Sequence, residues 1–371
     1  MNCLPPILHV EVSFFDLRSD VLSFMTAFVV AMVCIPPLIR LVNKYRLYDH
    51  PDCRKEHSIP TPTLGGIAIV AGMLTALALW YPFRLSAEII ASLFCMMLLF
   101  AVGITDDVKD LSAKYKLVVE IGLASIIALC NIRLTSFGGV FGLGDIPVSA
   151  QYTITILAIV GITNAFNLID GIDGLAGGLS FMSLVTLGFF LNASGDRSFA
   201  LLAFSLAGGV LAFLYFNMNP ARIFMGDTGS LVVGFLISIL CIRLISINQS
   251  AYHPFIHNSP VFALAIVLIP VYDALRVFAE RMWKGQSPFA ADRTHVHHLL
   301  SNAGVSHARS SRILCIIHAL VLVEVYWLRD LKPSLALFIL LATMTILKIL
   351  LAFFIRQKQR EEQATPTFEV R

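Results

Sequence analysis

Apolar residues in this chain come in long runs that stop abruptly at polar ones. The runs fall at 21–41, 65–80, 87–104, 117–131, 152–163, 175–191, 199–216, 231–247, 260–278, 313–328 and 334–355. Runs of roughly 17–22 residues are long enough for a helix to cross about 30 Å of hydrocarbon. The run at 152–163 is short, and a polar-ended helix would carry it on through Asn164 and Asn167. A transmembrane β-barrel would alternate apolar and polar residues in segments of about 10, and that pattern is absent from the sequence. The pattern therefore predicts an all-α polytopic membrane protein with about eleven transmembrane helices. Residues 1–355 read as a single transmembrane catalytic domain, and 356–371 as a charged tail expected to be disordered. The Gly-rich stretch 136–148 (SFGGVFGLGDIPV) is expected to form a small β-hairpin. There is no fixed-period repeat.

Composition supports this. Of 371 residues, 57% are hydrophobic and 14% charged, with a mean hydropathy of +0.80, where a soluble domain carries about a quarter charged residues. A net charge of +3 is too small to argue for nucleic acid. The seven cysteines, Cys3, Cys34, Cys53, Cys95, Cys130, Cys241 and Cys315, form no CxxC pair, which speaks against a zinc ribbon or a disulfide framework. Glu11 and Asp16 make the first residues acidic, unlike the basic start of a signal peptide.

Charge sets the orientation. Arg40, Lys44, Arg46, Arg54 and Lys55, then Lys109, Lys114 and Lys116, then Arg222, then Arg276, Arg281, Lys284, Arg293, Arg309 and Arg312, and finally the tail fall in alternate loops. The opposite loops hold little beyond Arg18, Arg84, Arg197, Arg329 and Lys332. The positive-inside rule makes the first set cytoplasmic, with the N-terminus outside and the C-terminus inside.

All the polar motifs then fall on the cytoplasmic face, next to apolar runs where carboxylates are expensive. Asp106, Asp107 and Asp110 close the third run, and a helix would put Asp106 and Asp110 on one face. Such a group suits Mg²⁺, which takes one or two carboxylates plus substrate phosphates. It also suits a solvated helix terminus paired with Lys109 and Lys114. Asn164, Asn167, Asp170 and Asp173 are spaced by three, and on a helix the first three share a face. Asp227 opens the eighth run, either as a helix N-cap or as a metal ligand at a helix N-terminus that also welcomes phosphate. His295, His297 and His298 follow Arg293 in the longest cytoplasmic loop, without a second ligand pair at zinc spacing. Arg293 suits phosphate. Lys55 and His57 precede a Pro- and Gly-rich turn, a weak signal by itself.

Taken together, PTPTLGG (60–66), DDVKD (106–110), NAFNLIDGIDGLAGG (164–178), FNMNPARIFMGDTGS (216–230) and DRTHVHHLL (292–300) resemble the polyprenyl-phosphate N-acetylhexosamine-1-phosphate transferases. The His-x-His-His form looks like the branch that moves GlcNAc-1-phosphate from UDP-GlcNAc to undecaprenyl phosphate. The branch transferring phospho-MurNAc-pentapeptide usually shows three consecutive histidines, and here Val296 interrupts them. The resemblance implies a bacterial cytoplasmic-membrane enzyme with Mg²⁺ as cofactor, replaceable by Mn²⁺, and dimers are common in the family. It implies Asp227 and Asn167 as metal ligands. Asp106 and Asp107 would orient or deprotonate the lipid phosphate or assist the metal, and His297 joins the catalytic set. Asn164, Asp170, Asp173, Asn217 and Phe224 would serve the uridine and ribose, with the Phe224 ring stacking on the base. Arg293, His295, His297 and His298 would bind diphosphate or sugar, and Lys55 and His57 are further substrate-binding candidates. Alternatives are a transferase for another UDP-N-acetylhexosamine or for phospho-MurNAc-pentapeptide, a transporter, and a scaffold with a decayed site. A transporter would show mid-membrane charges and an inverted repeat, whereas these acids cluster at one face.

Overall fold

The apolar runs fold as helices in a computed structural model that describes residues 14–45, 48–49, 61–81, 85–285, 296–301 and 304–364. In chain order these are α1 (Phe14–Tyr45), α2 (Gly65–Trp80), α3 (Ala87–Lys109), α4 (Ala113–Leu129), α5 (Val148–Ile169), α6 (Leu175–Ala193), α7 (Arg197–Asn217), α8 (Gly226–Ser250), α9 (Ser259–Ile266), α10 (Leu268–Trp283), α11 (Val296–Ser301), α12 (His307–Leu328) and α13 (Pro333–Ala364). Two short strands, β1 (Tyr48–Asp49) and β2 (Thr61–Pro62), pair antiparallel between α1 and α2. Each of the eleven apolar runs is mainly helical, the fourth stopping at Leu129 and the ninth breaking at Val267. By length and composition eight helices can cross a membrane, or nine if α9 and α10 count as one broken span. The difference from eleven comes from α2 and α4, which have only 16 and 17 residues.

The helices run further than the apolar pattern. α3 continues through Asp106 and Asp107, and α5 reaches Ile169. A backbone hydrogen bond from i to i−4 forms whatever the side chain, so a helix need not stop where polarity begins. α13 likewise passes Arg356 and ends at Ala364, so the start of the charged tail is helical rather than disordered, and residues 365–371 lie outside the described ones. The expected hairpin at 136–148 reduces to one antiparallel bridge, Ser136 to Asp145, around a 3₁₀ turn at Val140–Gly142.

α8 is the axis of the bundle. It packs against α2, α3, α5, α6 and α9, and 83% of its apolar window is buried, against 6% for α13 at the rim. Its interior is continuous with Leu99 of α3, Phe166 of α5 and Phe213 of α7, all shut off from solvent. With lipid outside, buried area between apolar helices adds little, and close packing and hydrogen bonds hold such bundles together.

The turn between α9 and α10 bends the chain by 76°, and its cause is local. Pro270 has no N–H, so the carbonyl of Ile266 loses its helical partner. The Ser183 hydroxyl on α6 donates to that carbonyl at 2.9 Å. Its one hydrogen spent there, Ser183 accepts from Nε2 of His318 on α12 at 3.1 Å, which fixes the imidazole tautomer. The elbow is thus clamped from two neighbouring helices.

Candidate active site

Six helix termini meet at one end of the bundle. The C-terminal ends of α3, α5 and α7 and the N-terminal ends of α4, α6 and α8 are tied there by side-chain hydrogen bonds between residues far apart in sequence.

The centre is Asp227, in the first turn of α8. Its Oδ2 accepts from Lys116 Nζ at 2.7 Å and from Asn167 Nδ2 at 3.4 Å. Lys116 also reaches Asp106 Oδ2 at 2.8 Å, so one ammonium bridges two carboxylates. Asp106 is 8% exposed, and its other oxygen accepts Leu111 N–H at 2.7 Å. Asn167 is held in turn by the Ser230 hydroxyl, which donates to its Oδ1 at 2.9 Å. Sequence reasoning brought Asp106, Asn167 and Asp227 together correctly but missed Lys116. The expected partners Lys109 and Lys114 are exposed. The signal was present: Ser112 caps α4 by accepting Tyr115 N–H, which places Lys116 within the first turns of a helix that starts beside the acids.

Asp107 is bound to the start of α8. Its Oδ1 accepts Asp227 N–H at 2.8 Å, and its Oδ2 accepts the N–H of Thr228 at 3.0 Å and the Thr228 hydroxyl. It therefore fills the anion site at the start of α8 that a phosphate could have taken. Asp227 is not the N-cap, because Met225 holds that position without a side-chain bond, and Asp107 supplies the cap from α3. Gly226 makes room for it: φ is +68°, and a Cβ there would lie 2.5 Å from Asp107 Oδ2. Gly103, one turn earlier on α3, lets the helices touch, since its Cβ would fall 2.7 Å from the Thr228 Cα. Backbone cannot yield as a side chain can, so Gly103→Ala should lower the thermal midpoint by the equivalent of about 1–3 kcal/mol. Gly122→Ala is the control, because its Cβ would meet nothing within 4 Å. Thermal unfolding in detergent checks this, and equal midpoints for the two variants would refute the contact.

Asp110 leaves the helical face expected for it. α3 ends at Lys109, and Asp110 is an exposed left-handed C-cap with φ 50°. Asn164 turns to Glu120 of α4, a carboxylate that is 3% exposed and was not anticipated from the sequence. Asp173 accepts from Asn219 Nδ2 at 2.9 Å and from Ala221 N–H at 3.0 Å. Asn217 accepts Gly174 N–H and donates to the Ile223 carbonyl, both at 2.9 Å. Asp173 and Asn217 thus stitch the 170–174 turn to the loop before α8. The backbone of Phe224 is pinned between Pro62 and Gly65 at 2.8 and 2.9 Å, leaving its ring partly exposed. Among the described residues no hydrogen bond holds the Asp170 carboxylate. Burial, and then the charges of Asp227, Asp107 and Asp173, push its pKa well above the usual carboxylate value.

That crowding is what a divalent cation would relieve. Among the described residues no group of three His, Cys, Asp or Glu forms a metal cage. Mg²⁺ seldom uses one, preferring one or two carboxylates with water and phosphate completing the shell. Asp227, Asp106, Asp170 and the Asn167 amide oxygen are hard oxygen donors of that kind, so the residues fit the ion. Lys55, His57, Arg293 and His295 lie outside the described residues. His297 and His298 fall in α11, whose backbone alone is described at those two positions. Beside the Asp170 turn a cavity of about 350 Å³ opens between α5, α6, α10, α11, α12 and α13. Its walls are mainly apolar, including Ile169, Leu175, Leu314 and Leu351, with Arg276 and Lys348 among the lining residues.

Comparison with known proteins identifies relatives of this chain. Residues 89–245, which carry α3 to most of α8, match the family described as glycosyl transferase family 4. A Bacillus subtilis protein named probable undecaprenyl-phosphate N-acetylglucosaminyl 1-phosphate transferase is 32% identical over 335 residues, covering 89% of this chain and 90% of its own. Proteins named undecaprenyl-phosphate alpha-N-acetylglucosaminyl 1-phosphate transferase from Escherichia coli K12 and Yersinia pestis are 31% and 34% identical. They cover 85% and 76% of this chain and 84% and 77% of their own lengths. With these relatives, the chain belongs to glycosyl transferase family 4.

Proposed function

We propose that this protein transfers GlcNAc-1-phosphate from UDP-GlcNAc to undecaprenyl phosphate, releasing UMP. The observation that carries the reading is the Asp106–Lys116–Asp227–Asn167 constellation, with Asp170 close enough for its charge to be felt and an apolar cavity lined by Ile169 and Leu175 on either side of the Asp170 turn. An oxygen of the lipid phosphate attacks the β-phosphorus of the nucleotide sugar. The new P–O bond forms as the bond to the α-phosphate oxygen breaks, and UMP leaves with the electron pair. Two anions must approach, so catalysis is chiefly positioning and charge neutralisation.

Asp227, Asn167 and Asp170 would hold Mg²⁺, or Mn²⁺ in its place, and the ion would supply neutralisation of the diphosphate. Lys116 donates to whichever anion displaces Asp106 or Asp227 from its ammonium. Asp106 accepts from Lys116 and fixes where that ammonium stands. Asp107 orients Asp227 by holding the first turn of α8, which makes it a positioning residue rather than a base. The 170–174 turn, clamped by Asp173 and Asn217, presents Asp170. The ring of Phe224 suits stacking on uracil, and the cavity suits part of a polyprenyl chain. The loop basic residues argue for eleven crossings with this site facing the cytoplasm of the bacterial inner membrane, where a bilayer lipid and a cytosolic nucleotide can meet.

The test follows UMP from the detergent-purified protein given undecaprenyl phosphate, Mg²⁺ and UDP-GlcNAc. Release that needs lipid and ceases with EDTA is expected. Release from UDP-GalNAc or the pentapeptide precursor but not from UDP-GlcNAc overturns the donor. A folded sample silent with every nucleotide sugar overturns the reaction.

A further inference from the structure

α11, whose sequence includes His297 and His298, is a helix too short to place itself. α11 has six residues, far below the length at which a helix holds alone in water, so its position is whatever its anchors give it. One anchor is apolar. Leu300 is fully buried in the cluster that contains Ile169, Ile172 and Leu175, the residues around the Asp170 turn. Val296 and Leu299 line the same cavity as Ile169 and Leu175. The other anchor is Asp273 of α10, a carboxylate 3% exposed that no step above uses. Its Oδ1 accepts the N–H of Val296, the first residue of α11, at 3.0 Å. The same oxygen accepts Arg276 Nη2 at 2.9 Å.

An N-cap normally comes from the residue just before the helix. Val296 N–H is met from 23 residues earlier in the chain by a charged acceptor, which binds more strongly than a neutral one. Arg276 offsets the buried charge and passes it along α10, through Glu280 at 3.4 Å to Lys284 at 2.7 Å from Glu280. Asp273 stands three residues past Pro270, just beyond the clamped elbow, so the bend determines where this carboxylate points.

We propose that Asp273 is a positioning residue of the transfer reaction, docking α11, the helix that carries His297 and His298 in its sequence, beside the Asp170 turn. This rests on the transferase reading, in which those histidines meet the diphosphate. A simple ion pair stabilising α10 would need only Arg276. The bond to Val296 adds nothing to α10 and fixes α11.

The test uses the full chain in detergent with Asp273→Ala, Asp273→Asn, His297→Ala and the Asp273→Ala/His297→Ala double variant. UMP release per folded molecule should fall about 10²-fold in Asp273→Ala, the scale of a displaced catalytic group. Asp273→Asn keeps an acceptor for Val296 and should recover most of the rate. The double variant should be no slower than His297→Ala alone, because both changes remove one function. Amide hydrogen exchange at 296–301 should speed up in Asp273→Ala while α8 stays protected. Losses that multiply in the double variant, or a silent His297→Ala beside a slow Asp273→Ala, overturn the proposal and leave the transferase reading standing. Unchanged exchange at 296–301 overturns it whatever the assay shows. If the wild type releases no UMP, the transferase reading fails by itself, and Asp273 has no transfer reaction to position.

Discussion

Asp227→Asn should lower UMP release about 10³-fold while leaving the thermal midpoint within a few degrees of the wild type. The substitution keeps size and shape and removes one charge. Its local partners tolerate the change: Lys116 keeps Asp106 at 2.8 Å, and Asn167 keeps the Ser230 hydroxyl. The backbone N–H of residue 227 still donates to Asp107. What is lost is the carboxylate toward which Lys116 and Asn167 both point. A cation held there contributes several kcal/mol to a reaction between two anions, and each 1.36 kcal/mol is tenfold in rate. The loss should fall on kcat at saturating substrate and should not be recovered by raising Mg²⁺. A variant that keeps more than a tenth of the wild-type rate would move the metal to Asp170 and Asp106 and remove Asp227 from the centre.

The site was legible in the sequence where chemistry depends on residue type and obscure where it depends on pairing. Carboxylates at the ends of apolar runs stand out because lipid makes them expensive, which singles out Asp106 and Asp227, while Asn167 stands out by its three-residue step to Asp170. The reading could not distinguish an acid that faces substrate from one that serves the fold. Asp107 looks like Asp106, yet its partners are the N–H groups of Asp227 and Thr228, 120 and 121 residues away. Asp173 and Asn217 satisfy the loops for the same reason: a turn that leaves the helices strands backbone donors that something must accept. Lys116 is one of several loop cations by composition, and only the 111-residue step to Asp227 singles it out. Most helix ends fall beyond the apolar runs, because hydropathy follows side chains whereas helices follow the backbone, although α4 stops at Leu129, short of the run that reaches 131. The elbow at Val267 had a visible cause in Pro270, but its clamp, Ser183 with His318, is a tertiary contact with no local trace.

Lys116→Met should cost about 10² in UMP release, and its partner variants should show why. The ammonium stands 2.7 Å from Asp227 and 2.8 Å from Asp106, with only 21% of the side chain exposed. Methionine keeps an unbranched chain and removes the charge. Two carboxylates then face each other with nothing between them, and removing one partner of a largely buried charge cluster leaves the other uncompensated. The variant should therefore be less stable in EDTA than in Mg²⁺, a gap the wild type should show only weakly, since a divalent ion can take over part of what the ammonium did. Lys116→Arg should recover only part of the rate, because a planar guanidinium spreads the charge that a compact ammonium concentrates between two oxygens. Adding Asp106→Asn to Lys116→Met removes the surplus negative charge, so the double variant should unfold at a higher temperature than Lys116→Met alone. It should not regain turnover, because a site that brings two phosphates together still lacks its fixed cation. If the double variant regained both stability and rate, Lys116 would be only a counter-ion for Asp106. Stability without rate places the ammonium among the groups that meet substrate.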